Sequence, residues 1–129
     1  MFGYSLAILL AAMFALTDST GQLTKEEARR SLELAGWDQA LHREALSVMA
    51  CESSWITDRT GDGGDSVGLF QIQWTPKTWV GWRSAPGMER LKNKNPYNPI
   101  TNSKIALVIY KNYGGWSAWT CKPSPAILN

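Results

Sequence analysis

The sequence predicts a single, mainly α domain of the α+β class, with one small extended element lying beside a helix. Three observations lead there. Helix-start signals recur as Thr24-Lys25-Glu26-Glu27, as Asp38 ahead of an apolar face, and as Asn98-Pro99. One stretch between them, residues 57–66, is so rich in Gly, Asp and Thr that it reads as a loop. The length of 129 residues, 44% hydrophobic and 19% charged, suffices for one core but not two.

Residues 6–16 form an uninterrupted apolar run of signal-peptide length, too short to cross a bilayer comfortably as a helix. Two readings stay open. No Lys or Arg precedes Lys25, and Ala15-Leu16-Thr17 is a poor cleavage site, so the run is either a signal peptide or a retained helix that anchors or docks the protein. The polar, turn-rich residues 17–21 close it, dividing the chain into an apolar leader over 1–20 and a folded domain over 21–129.

Thr24 and Glu27 fit a capping box, opening a helix that runs through Ala28, Leu32 and Leu34 to a stop at Gly36. Asp38 can cap a second helix. Its apolar positions, Leu41, Ala45, Leu46, Val48, Met49 and Cys51, make one broad face, and Glu52 stands at its C-terminal end. Beyond the loop, residues 67–73 read as one extended piece. Thr75-Pro76 then marks N-cap and first position of a short helix toward Trp82, and Asn98-Pro99 repeats the device before a helix over 100–113. Gly114-Gly115 ends that helix, Trp116 and Trp119 follow, and Pro123 and Pro125 predict an irregular tail.

Thirteen Lys and Arg stand against eleven Asp and Glu, and the isoelectric point near 8.6 is too mild to argue for nucleic acid. A weak attraction to an anionic polymer such as a cell wall is compatible with it. Cys51 and Cys121 lack metal-ligand spacing, and the single His42, without a nucleophile and acid to complete a triad, reads as a surface or helix partner. No metal and no cofactor are implied. The two cysteines are either separate core thiols or a disulfide, which would stabilise the fold by about 4 kcal/mol and point to an exported compartment.

Glu52 is the residue that most invites a chemical reading. A carboxylate at the end of an apolar helix costs several kcal/mol to bury unless it is paired or takes up a proton, and a held proton can serve as a general acid. The alternative is a structural Glu that caps a turn or meets Arg59.

Four segments give Glu52 a context: Glu-Ser-Ser-Trp at 52–55, Gly-Asp-Ser-Val-Gly-Leu-Phe-Gln-Ile at 64–72, Asn-Pro-Ile-Thr-Asn-Ser-Lys-Ile-Ala-Leu-Val-Ile-Tyr at 98–110, and Gly-Gly-Trp-Ser-Ala-Trp at 114–119. In this order they resemble the lysozyme-like superfamily, in particular its bacterial and phage lytic transglycosylase and goose-type lysozyme branch. The resemblance covers roughly residues 23–121. It implies a lysozyme-like fold whose small extended element flanks the catalytic helix, and peptidoglycan glycan strands as substrate, cut at the β-1,4 bond between N-acetylmuramic acid and N-acetylglucosamine. It also implies an exported or virion-associated monomer.

Residue by residue, the resemblance makes Glu52 the general acid and puts Ser66, Gly68, Phe70 and Gln71 on the substrate side of the cleft. Gly68 would allow close approach of backbone to sugar, and Phe70 would help keep Glu52 protonated. Tyr110 and Asn102 match positions on the last helix whose side chains would approach the sugar or the carboxyl. Trp116 is a candidate for stacking on a pyranose ring. Read from the residues alone, segment 66–72 is one buried strand, with Ser66 and Gln71 facing the groove by alternation.

The aspartates divide the mechanism. Inverting hydrolysis uses a second carboxylate about 6.5 to 9.5 Å from the acid to activate water, whereas a lytic transglycosylase uses one Glu while the sugar's own 6-hydroxyl closes a ring. Asp65 is the candidate base, with Asp58 and Asp62 read as solvated loop residues. For want of a compelling second carboxylate, the expectation leans to transglycosylation. A reading from a different class is a catalytically idle lysozyme-fold component of a virion or cell envelope that binds glycan or docks through the leader.

Overall fold

The computed structural model describes residues 21–74, 82 and 84–129. The leader over 1–20 and most of the short helix expected from Thr75 toward Trp82 lie outside them. What is described is a mixed α+β domain of three α-helices and a small antiparallel sheet.

Helix α1, Lys25–Ala35, begins at the capping box: Glu27 N donates to Thr24 Oγ1 at 3.1 Å, and Thr24 N donates to Glu27 Oε1 at 2.9 Å. Gly36 ends it in the left-handed conformation that a residue without Cβ adopts at little cost. Asp38 does not cap the second helix directly. Its carboxylate accepts from Ala40 N, two residues on, and tightens residues Gln39–Leu41 into a 3-10 turn, after which α2 runs over His42–Ser53. His42 is buried rather than on the surface, its Nε2 3.0 Å from the Trp37 carbonyl.

Helix α3, Pro99–Asn112, starts as its sequence predicts. Asn98 accepts from the N–H groups of Ile100 and Thr101, and Pro99 occupies a first-turn position whose N–H would have no partner in the helix. The three helices meet in a core centred on Leu32, Val48, Met49, Leu69, Phe70 and Ile105.

The extended region differs from the sequence-based expectation at two points. The polar segment 57–66 contains a strand, β1 at Thr60–Gly61, and the 67–73 segment is folded back on itself into β2 at Ser66–Val67 and β3 at Ile72–Gln73. Together they form a three-stranded antiparallel sheet, with Thr60 opposite Val67 and Val67 opposite Ile72. The cause is local: Gly68 at φ 77° and Gln71 at φ 49° reverse the chain between β2 and β3. Strand alternation therefore does not decide which residues of 68–71 face the groove.

The C-terminal tail is docked. Residues Pro125–Leu128 form a 3-10 turn, Ser124 N donates to Ser47 Oγ of α2 at 2.9 Å, and Cys121 is disulfide-bonded to Cys51. The pairing settles the question of the two thiols and fixes the chain beyond Trp119 against α2.

Candidate functional site

Three anchors place the β2–β3 turn against the end of α2. Ser53 Oγ, on the last residue of α2, donates to the Leu69 carbonyl at 2.8 Å. Asn102 of α3 takes Phe70 N at 2.9 Å through Oδ1 and donates through Nδ2 to the carbonyls of Val67 at 3.0 Å and Pro96 at 2.8 Å. Trp119 Nε1 donates to the Phe70 carbonyl at 2.9 Å. The side chains of Ser53, Asn102 and Trp119 are buried, and their bonds to Val67, Leu69 and Phe70 hold the turn where water does not compete.

The anchored turn and the end of α2 enclose a cleft of about 320 Å3. Glu52, Asp62, Ser66, Gln71, Gln73 and Thr120 supply polar side chains to it, and Ile72, Trp82, Ile109 and Trp119 supply apolar wall. Glu52 is half-buried. Burial pushes its carboxyl above the usual range, the N–H of Cys121 at 3.3 Å from Oε2 pulls it back, the negative charge of Asp62 raises it, and Lys122 lowers it. Desolvation is the largest of these effects, and the balance is upward.

Asp62 is exposed, as its reading as a solvated loop residue expects, and it also lines the cleft with Glu52. It accepts a hydrogen bond from Ser66 Oγ at 2.5 Å, across the short β1–β2 connection. Its backbone is left-handed at φ 52°, in the αL region that Asp tolerates better than most residues. Asp65, the expected base, does not line the cleft. The Gly63-Gly64 pair, at φ 69° and 98°, turns the chain between the two, which spacing in the sequence alone does not resolve.

Of the other expected site residues, Ser66 and Gln71 line the cleft with Glu52. Gln71 also secures the loop, since Nε2 donates to the carbonyls of Arg59 at 2.9 Å and Gly68 at 3.0 Å. Gly61 of β1 is matched to it: a Cβ there would lie 2.6 Å from Gln71 Oε1.

Gly68, Phe70 and Asn102 lie behind the cleft rather than in it. A Cβ on Gly68 would collide with the Asn102 amide and sit 3.1 Å from the Pro96 carbonyl, so the glycine serves close packing against α3. Phe70 is fully buried and stacks on Trp37 with centroids 5.6 Å apart. Trp37, which the sequence reading did not single out, also stacks with Trp116 at 5.4 Å and meets Tyr110 at 5.4 Å. Tyr110 and Trp116 thus belong to this aromatic cluster, and neither lines the cleft.

Comparison of the chain with protein-family models, curated proteins and solved structures returns no match. The site therefore rests on its own geometry. Among the described residues no three of His, Cys, Asp and Glu are grouped to hold a metal ion, and no helix is long and apolar enough to cross a membrane.

Two features of the cleft bear on chemistry. Glu52 is the described carboxyl with an upward shift, which suits a proton donor working where carboxyls are otherwise ionised. Trp82 and the buried Trp119 are among the residues lining the same space, and the buried Trp82 Nε1 has no hydrogen-bond partner among the described residues, which leaves a donor for a ligand.

Proposed function

We propose that the protein is a lysozyme-like muramidase that cleaves the β-1,4 bond between N-acetylmuramic acid and N-acetylglucosamine in peptidoglycan. The observation that carries this reading is a half-buried Glu52, its carboxyl raised by burial, sharing one cleft with the Ser66-bound Asp62. In this reading Glu52 gives its proton to the glycosidic oxygen as the bond to the muramic C1 breaks. Asp62 takes a proton from a water molecule whose oxygen attacks C1, so the products are a free hydroxyl on one side and a reducing end on the other.

Ser66 orients Asp62, and Gln71 holds the loop that carries both to the cleft. Developing positive charge on the sugar is met by Glu52 once it has lost its proton and by Asp62. The chemistry uses only these carboxyls and water. With a second carboxylate in the cleft, the reading moves from transglycosylation to hydrolysis. Action on a wall polymer outside the cytoplasm fits the Cys51–Cys121 disulfide, and the proposal includes export to the envelope or carriage on a virion, as a monomer.

Digestion of purified cell walls in water enriched in heavy oxygen tests the proposal. New muramic reducing ends, each carrying one solvent oxygen by mass spectrometry, are the expected products. Anhydro ends lacking one water would remove Asp62 from the mechanism, and no fragments at all would remove the function.

A further inference from the structure

A second concave surface lies on the other side of α3 from the cleft wall. It is a groove of about 450 Å3 to which Arg90, Lys94, Lys104 and Lys111 contribute, all four exposed. Its floor is aliphatic, from Ala35, Leu91, Leu107 and Val108. Helix periodicity explains the face: positions 104, 107, 108 and 111 repeat at i, i+3, i+4 and i+7, whereas Ile109 turns toward the cleft.

The groove has no acidic lining residue, and none of its four cations is in an ion pair among the described residues. The small net charge of the chain conceals this asymmetry. After Glu89 the sequence carries six Lys and Arg and no Asp or Glu. Four cations gathered around one concavity repel each other, an arrangement favoured when an anion shares the space.

The aliphatic floor restricts which anion fits. A phosphate-rich polyol offers nothing to Leu91, Leu107 and Val108, and a flat bilayer surface does not follow a concave groove. A short peptide with free carboxylates and methyl side chains satisfies both rim and floor. We propose that this groove binds the acidic peptide substituent of peptidoglycan, holding a peptide-bearing strand while the cleft cuts glycan. The assignment of the peptide's source rests on the muramidase reading; the groove's preference for an anionic, methyl-bearing peptide rests on its own lining.

The test uses the full chain and an N-acetylated wall tetrapeptide, N-acetyl-L-Ala-γ-D-Glu-meso-diaminopimelyl-D-Ala, whose carboxylates outnumber its single ammonium, followed by amide chemical shifts. Shifts should appear at Lys104, Leu107, Val108 and Lys111, weaken as salt is raised, and in Lys104→Gln/Lys111→Gln require about tenfold more peptide. An unchanged amide spectrum of the free variant verifies its fold. Lys104→Arg/Lys111→Arg should restore binding.

Peptide-stripped glycan strands read the cleft separately, and the Gln variant should cut them at the wild-type rate. If neither protein cuts them, the muramidase reading fails while the titration still judges the groove. Shifts confined to the cleft, equal binding of the fully amidated peptide, or tighter binding of poly(glycerol phosphate) or anionic vesicles at the same amides would overturn the proposal.

Discussion

Replacing Asn102 by Ala tests whether the cleft is built from behind. The Asn102 side chain is fully buried and makes three hydrogen bonds, one accepted from Phe70 N and two donated to the carbonyls of Val67 and Pro96. Truncation strips partners from Phe70 N and the Val67 carbonyl, on the segment that carries Ser66 and Gln71, and from the Pro96 carbonyl ahead of α3. At about 1 kcal/mol net for each bond the loss is about 3 kcal/mol, rising toward 5 if no water enters to replace the amide. For a domain of this size that lowers Tm by roughly 12 to 20 °C. Urea unfolding followed by tryptophan fluorescence gives the free energy directly. Asn102→Asp, which keeps the acceptor but sets a carboxylate oxygen against two carbonyls, should destabilise at least as much. A loss below about 1 kcal/mol in Asn102→Ala would refute the view that α3 holds the turn, and would return Asn102 to consideration as a sugar ligand.

Three further outcomes follow from the same geometry. Asp62→Asn should lower wall hydrolysis by about 100-fold or more, and because the Asp62 charge raises the Glu52 carboxyl, the residual activity should begin to fall at a lower pH than in the wild type. Removing the disulfide as Cys51→Ser/Cys121→Ser should cost about 2–5 kcal/mol in thermal or urea unfolding; by loosening the Cys121 N–H from Glu52 it should move the alkaline fall in activity upward. The raised carboxyl of Glu52 binds its proton more tightly in the folded than in the unfolded chain, so its contribution to stability is present below the ordinary Glu range and is lost as pH rises through the folded value. Glu52→Gln, free of that loss, should therefore melt higher than the wild type at neutral pH, with the difference shrinking at pH 4 and below.

Local signals were legible where one chemical device decides the structure. Thr24 with Glu27, Gly36 and Asn98-Pro99 each satisfy or terminate specific backbone groups, and each acts as the sequence predicts. The sheet was harder to read, because two-residue strands are too short to show alternation and the reversal depends on Gln71 adopting a left-handed backbone that its type does not favour. Glu52, Ser66 and Gln71 were legible as a group and do share the cleft. Asp62 was not, since only Gly63 and Gly64 separate it from Asp65 in sequence, and the left-handed turn they make decides which carboxylate lines the cleft. Phe70, Asn102 and Trp116 were expected beside the substrate, but Asn102 binds Phe70 N and the rings of Phe70 and Trp116 stack on Trp37, contacts between residues far apart in sequence that no motif spacing encodes.

Clearance of a purified cell-wall suspension by the wild type and by Glu52→Gln tests the central claim most directly. The substitution keeps the shape of the side chain and an acceptor for the Cys121 N–H while removing the proton. Wild type should clear the suspension, and Glu52→Gln, folded by circular dichroism, should be slower by about 100- to 10,000-fold. Equal clearance by the two proteins would contradict Glu52 as the general acid.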